Sequence, residues 1–414
     1  MNKSKSQEWT DRLQRVIPWG SSTCSKSPRL TPEEPGVIVK GKGCRVWDAD
    51  GREFIDFRNG LGPVTLGYQF PAVDTAIRKQ LKQGIVFGHP HPLECEVAEM
   101  LCEVIPCAER ARFLKTGGEA NAACIRLARY YTGRDHIIHI GYNGWLNSLA
   151  SGARLLPGQT AKSSPPGVPL NLSSLHHGCD WNDMETINRL FNGYDGQIAA
   201  VMVAADYEHM DIGKTFYPEL RKVTSKHGSL LIYDEIVTGF RVAVGGVQEY
   251  FNIIPDLAVF GKGIANGMPL SVFAGKKDIM DKCEKGGVII SSTFGGETLS
   301  LAAAKAAILT YRNQDVIGHL WKQGDKLWGK LNGLFNKYGI PMEVKGFYPC
   351  PAFVVKNGAD NDILEKFLRA AYKNGVSLYD VSYITYSHKA RDIKETLERL
   401  EEGLKTMSNF AGKL

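Results

Sequence analysis

Long apolar runs are missing from this chain. The longest, Ile198 to Ala205, is far short of the roughly 20 residues that a membrane-spanning helix needs. The opening residues Met1-Asn2-Lys3-Ser4-Lys5 are polar and lack the apolar stretch of a secretory leader. No C-x-x-C pair occurs. The nine cysteines, Cys24, Cys44, Cys95, Cys102, Cys107, Cys124, Cys179, Cys283 and Cys350, are odd in number and scattered in spacing. That argues against a disulfide framework or a zinc site and for reduced thiols in a cytoplasm. A basic tract is absent too. The formal net charge of +6 is small for 414 residues, and the lysines and arginines are spread among acids. Neither nucleic acid nor a membrane is therefore an expected partner. No internal repeat or low-complexity tract stands out.

What remains has the composition of a globular enzyme, 43% hydrophobic and 23% charged. The length exceeds one ordinary core, so two lobes are expected. Residues 8–17 have the spacing of a short amphipathic helix. Val37 to Lys40 and Cys44 to Asp48 read as strands joined by the hairpin Gly41-Lys42-Gly43, and Phe54 to Phe57 follows the turn Asp50-Gly51. From Pro71 onward, helical segments alternate with strands: Arg112 to Leu114, His136 to Ile140, Ile198 to Ala204, Leu230 to Tyr233, Leu257 to Phe260 and Leu270 to Ala274. Continuous apolar strands between helices predict an α/β fold with a mainly parallel sheet covered on both faces. Leu155 to Leu175, rich in Pro, Gly and Ser, reads as a long loop over the active face. The expected division is 1–58 as an N-terminal meander packing with the small domain, 59–297 as a large domain, and 298–414 as a small α+β domain.

Several strands end in residues that could carry chemistry. Leu257 to Phe260 runs into Gly261-Lys262-Gly263, and Leu230 to Tyr233 runs into Asp234-Glu235. A lysine and an acid at the carboxyl ends of two strands suit pyridoxal 5′-phosphate, the lysine as Schiff-base partner and the acid as partner of the pyridine nitrogen. Asp234 and Glu235 could otherwise cap a helix; a metal is disfavoured, because no further ligand lies at suitable spacing. Lys115-Thr116-Gly117-Gly118-Glu119 follows a strand and opens a helix. Its amides would suit a phosphate, and it equally reads as an ordinary strand-to-helix turn. Tyr142, in Gly141-Tyr142-Asn143-Gly144, would suit stacking on a flat ring, or packing as a rim aromatic. The glycines at 261, 263 and 267 do not have dinucleotide spacing, and Pro269 falls where a crossover helix would begin.

Leu230-Leu231-Ile232-Tyr233-Asp234-Glu235-Ile236-Val237-Thr238-Gly239-Phe240-Arg241 resembles the signature of class III (fold type I) PLP-dependent aminotransferases, nearest to the glutamate-1-semialdehyde aminomutase-like branch. Gly20 to Pro28, Val46 to Gly51, Arg126 to Arg129, Thr132-Gly133-Arg134 and Gly261-Lys262 fall in the same family order, so the resemblance spans about residues 10–405. It implies a seven-stranded, mainly parallel sheet. Lys262 would be the Schiff-base lysine and proton shuttle, and Asp234 the pyridinium partner. Val237 would pack on the ring face opposite Tyr142, with Asn143 alongside. Thr116, Gly117 and Gly118 would hold the phosphate. Thr293 would reach the phosphate of a neighbouring subunit, which implies a homodimer with composite sites. The family's activity implies a small-molecule amino donor such as glutamate and a carbonyl acceptor.

The chain also departs from the family pattern. Asn143 stands where many relatives carry histidine, Ala204-Ala205 where a Glu-Pro pair is usual, and Gly296-Glu297-Thr298 where Gly-Asn-Pro is usual. Ser22 to Pro28 and His89 to Glu94 resemble a subgroup associated with sugar, polysaccharide or aminoglycoside pathways, so a polyhydroxylated aldehyde or ketone stands beside an amino acid semialdehyde as acceptor. An aminomutase, and a catalytically silent PLP-fold scaffold, are the alternatives; retention of Lys262 and Asp234 argues against the scaffold.

Overall fold

The computed structural model describes residues 3–145, 167–284, 286–356, 358–360 and 362–411. It divides into two units, Met1–Phe70 with Gly318–Leu414, and Pro71–Ile317. The division differs from the sequence expectation at both boundaries. Residues 59–70 group with the first unit. The helix Thr298–Asn313, expected to open the small domain, belongs to the second. Its alanine-rich surface packs there: Thr298 Oγ1 meets Gly84 O at 2.9 Å and Gln80 Nε2 at 3.2 Å, and Tyr311 Oη meets Gly263 O at 3.3 Å.

In the first unit, β1 (Ile38–Lys42), β2 (Arg45–Asp48) and β3 (Glu53–Asp56) form the expected meander. The second unit holds β4 (Arg110–Leu114), β5 (His136–Ile140), β6 (His176–Cys179), β7 (Ile198–Ala204), β8 (Leu230–Asp234), β9 (Leu257–Phe260) and β10 (Ser271–Gly275). They make one seven-stranded sheet in the order β4-β10-β9-β8-β7-β5-β6. Only β10 runs against its neighbours. β5, β6, β7, β8 and β9 are parallel in sequence of pairing. β7 reads Ile-Ala-Ala-Val-Met-Val-Ala and is buried at every position, as a sheet covered on both faces requires. The first unit resumes with β11 (Met342–Lys345) paired to β12 (Ala352–Val355), while β13 (Val376–Ser377) joins β3 in parallel.

β6 was not expected. His176-His177-Gly178-Cys179 carries no apolar run, and its place in the sheet comes from tertiary pairing with β5. Of the loop expected over Leu155 to Leu175, residues 155–166 lie outside the described residues, and the remainder includes a one-turn helix, Leu170–Ser173. His91, in one of the two stretches resembling the sugar-associated subgroup, has a structural use. Its Nδ1 accepts from Leu93 N at 3.1 Å, and Glu94 accepts from His91 N at 3.2 Å, capping the helix Pro92–Val104.

Candidate active site

β4 and β9 each run antiparallel to β10, so β4 points the same way as the parallel strands. The carboxyl ends of β4, β5, β7, β8 and β9 therefore lie on one edge of the second unit. That edge is where open α/β sheets bind ligands. It gathers Lys115 to Gly118, Tyr142 and Asn143, Ala205, Asp234, and Lys262.

Asp234 ends β8 with its side chain buried. Asn121 Nδ2 donates to Oδ2 at 2.7 Å and Ile236 N to Oδ1 at 3.1 Å. Burial raises its affinity for a proton; the bond from Asn121, the amide of Ile236, the charge of Lys262 and a bond from Asn143 oppose that. Lys262 sits two residues beyond β9, the strand beside β8, about 4.8 Å away across the ladder. Its backbone has φ 44°, in the left-handed region that L side chains avoid, and such strain at about 1–3 kcal/mol collects where a side chain must be aimed. The adjoining Glu235 faces elsewhere. It accepts from Val247 N at 2.9 Å, Gln248 N at 3.0 Å and the Thr238 hydroxyl, and burial pushes it up to about 7. It binds the turn after β8 together, which leaves Asp234 as the candidate site residue of the pair.

The turn after β4 opens the helix Gly117–Thr132. Thr116 Oγ1 accepts from Glu119 N at 3.4 Å, while Glu119 accepts from Thr116 N at 2.7 Å. This capping box uses the Thr116 hydroxyl itself. The amides of Gly117 and Gly118, in the first turn, lack an intrahelical acceptor by construction. A Cβ on Gly117 would lie 2.2 Å from Ile236 Cδ1, and one on Gly144 would lie 3.3 Å from Gly118 Cα. The 141–144 loop, the helix start and the residue after Asp234-Glu235 are thus in close approach. Tyr142 is exposed and Asn143 buried on that loop; Val237 is half-buried. Thr293 lies exposed on the turn before the helix Thr298–Asn313, next to exposed Phe294.

Sequence reasoning missed Asn121, the nearest donor to Asp234. The signal was present: an asparagine one helical turn after Gly117, among Ala120, Ala123 and Cys124, all buried. A polar residue on an apolar helix face needs a polar partner. Glu297 was noted only as a departure. It caps the helix Thr298–Asn313 through Ser300 N at 2.9 Å and lies 3.6 Å from Lys115 Nζ.

Against known proteins, residues 29–404 match the aminotransferase class-III family. The chain belongs to that family. It is 31% identical to a glutamate-1-semialdehyde 2,1-aminomutase of Persephonella marina over 98% of this chain and all of that protein. It is 30% identical to the protein of the same name from Aquifex aeolicus, covering 95% of this chain and 97% of that one. Among solved structures, the PLP internal aldimine form of the Sphingopyxis sp. MTA144 FumI protein superposes with a TM-score of 0.89 at 25% identity, over 99% of this chain and 98% of that one. The fold is therefore that of fold type I PLP transferases, as the family resemblance implied. Among the described residues, no helix is long and apolar enough to cross a membrane.

The residues present fit pyridoxal phosphate. An acid lies within the influence of a lysine charge, a helix of 16 residues opens on two glycines beside them, the Ile236 side chain leaves no room for a Cβ on Gly117, and the loop bearing Tyr142 approaches that helix start closely at Gly144.

Proposed function

We propose that the protein is a PLP-dependent aminotransferase that takes an amino group from an amino acid, glutamate being the favoured donor, and delivers it to a carbonyl acceptor. The observation that carries this is the placement of Asp234 and Lys262 at the carboxyl ends of adjacent strands, with the Gly117-Gly118 helix start on the same sheet edge. The chemistry supplied by bound pyridoxal phosphate is an aldehyde that condenses with amines and a ring that withdraws electrons from the donor's Cα. Gly117 and Gly118 would hold the phosphate with backbone N–H groups at the positive end of the helix, and Thr116 would shape that turn through its cap. Asp234, ionised, would keep the ring nitrogen protonated. Lys262 Nζ would take the proton from the donor Cα and return it to the carbon that was the aldehyde. Tyr142 and Val237 would cover the two ring faces, and Asn143 would bear on the ring through Asp234.

Thr293 would donate to the phosphate held by a second copy of the chain, giving a homodimer with composite sites. Its exposure on a turn beside exposed Phe294 supports a role outside its own fold. Thr293→Val would remove one bond to a charged group, about 1.5–3 kcal/mol, and should hasten loss of PLP on dialysis; unchanged retention rejects the contact.

The second reading is an aminomutase, which moves the amine within one molecule. It is favoured by the relatives of that name at 30–31% identity along nearly the whole chain. A half-reaction screen separates the two. PLP-loaded protein is mixed with single amino donors and the visible absorbance is followed, then carbonyl acceptors, including oxidised sugars, are added one at a time. Bleaching by a donor and recovery with an acceptor are expected. Conversion of an amino-aldehyde with no separate donor favours the aminomutase. Protein that takes up no PLP rejects both.

A further inference from the structure

Behind Asp234 lies a line of polar groups, buried except for the half-buried Arg129, that the reaction as proposed does not use. Arg129 Nη2 lies 3.1 Å from His176 Nε2, His176 Nδ1 lies 2.7 Å from His139 Nε2, and His139 Nδ1 lies 3.1 Å from Asn143 Oδ1. The Asn143 side chain in turn lies beside Asp234 and lowers its affinity for a proton. His139 and His176 are buried in β5 and β6, and Arg129 is anchored by its Nε on Asp135 O at 2.7 Å.

The direction of every bond follows from one end. A guanidinium has donors and no acceptor. His176 Nε2 must therefore accept from Arg129, which leaves the proton of a neutral His176 on Nδ1. That proton is donated to His139 Nε2, so His139 carries its own on Nδ1 and donates to Asn143 Oδ1. With its oxygen so engaged, the Asn143 amide turns its NH2 toward Asp234. The reverse polarity would leave His176 Nε2–H facing the Arg129 N–H groups, two donors with no acceptor. Both rings are held neutral. Burial pushes His139 down to about 4, and burial with the neighbouring imidazoles and Arg129 holds His176 still lower. His136 and His177, the nearest other imidazoles, pair with each other at 2.9 Å and leave the line unbranched.

We propose that Arg129, His176 and His139 form a positioning relay that fixes the flip of the Asn143 amide, so that Asp234 is met by two N–H donors, from Asn121 and Asn143, and never by the Asn143 oxygen. Released from His139, the amide could rotate and set its oxygen against the carboxylate. The relay extends the site through the sheet to Arg129, and it rests on the reading of Asp234 as the acid beside the cofactor.

The first test needs no cofactor, so it fails independently of that reading. Nitrogen-15 NMR of histidine-labelled full-length protein without PLP should show His139 and His176 as neutral Nδ1–H tautomers at pH 7, assigned by difference against His139→Gln and His176→Gln. An Nε2–H tautomer or an imidazolium at either position overturns the relay. The second test uses PLP-loaded protein. His139→Leu should move the pH midpoint of the visible absorbance and slow the donor half-reaction about tenfold, the loss of one charge-linked hydrogen bond, with donor KM unchanged. His139→Asn keeps a donor at the Nδ1 position and should restore most of both. A folded His139→Leu with an unmoved midpoint rejects the relay. Should His139→Leu fail to fold, the tautomers of the unaltered protein decide alone.

Discussion

Asp56 in the first unit and Asp234 in the second are both buried acids whose burial raises their affinity for a proton. Asp56 is closed off by local partners. It accepts from Tyr68 Oη and Ser377 Oγ at 2.9 Å, Asn59 N at 3.0 Å and Arg58 N at 3.1 Å, tying β3 to β13 and to the turn after it. Asp234 accepts from Asn121 and Ile236, feels Lys262, and is backed by Asn143, whose own partners lead away through the sheet. The same chemical group is thus a knot in one unit and, in the function proposed, a tool in the other. What distinguishes them is a strand end, a neighbouring lysine and a support that fixes orientation from behind.

Four perturbations would break or sharpen this contrast. Lys262→Ala has the largest effect. It should lower turnover by many orders of magnitude, since the group for both the transfer and the proton shift is gone, while the melting temperature holds. Ordinary turnover would end the assignment. Asp234→Asn should keep the fold and cost about 3 kcal/mol in the activation barrier, read from single-turnover rates; a rate near that of the unaltered enzyme would make Asp234 another knot.

Lowering the pH should unfold the second unit through its imidazoles. His139 and His177 are both held down to about 4 by burial, below the ordinary 6.5. Folding therefore excludes a proton that the unfolded chain binds. Stability is complete above pH 6.5 and falls through to pH 4, by up to about 3 kcal/mol for each ring. Hydrogen exchange in β5 and β6 against pH would measure it, and flat protection between pH 6.5 and 4 would contradict it. Asp56→Asn is the smallest and the mirror case. Its amide would face a backbone donor, costing about 1–3 kcal/mol of stability, and PLP-dependent rates in the folded fraction should be unchanged. A specific loss of rate would erase the contrast.

The legible parts of the chain were those where local pattern and tertiary role agree. β7 and β9 are apolar throughout, and β8 up to Tyr233, because both faces are covered, and charge and glycine punctuate their ends. Lys262 and Asp234 could be read for that reason. β6 was illegible because its histidines and glycine have no strand pattern of their own; they earn a place through β5 and Arg129. Asn121, His139 and His176 were missed together. Asn121 and His139 each look like a lone polar residue in an apolar element, His176 lies in a segment with no strand pattern, and only the fold brings them into line. The expected boundary at 297 followed a break in the sequence pattern, whereas the helix Thr298–Asn313, with Ala303, Ala304 and Ala307 buried, groups with Pro71–Ile317.

The antiparallel strand β10 sets an order of assembly. Among the described residues β4 has one ladder partner, and it is β10; Leu114 pairs with Ser271 and Arg110 with Gly275. A chain emerging from the ribosome makes β4 and the glycine turn early, but cannot dock them into the sheet until residues 271–275 are out. β5 through β9 can pair among themselves before that. The strand leading into the turn proposed for phosphate thus joins the sheet after β5 through β9, and a nascent chain halted short of β10 would carry Asp234 and Lys262 with β4 still unpaired.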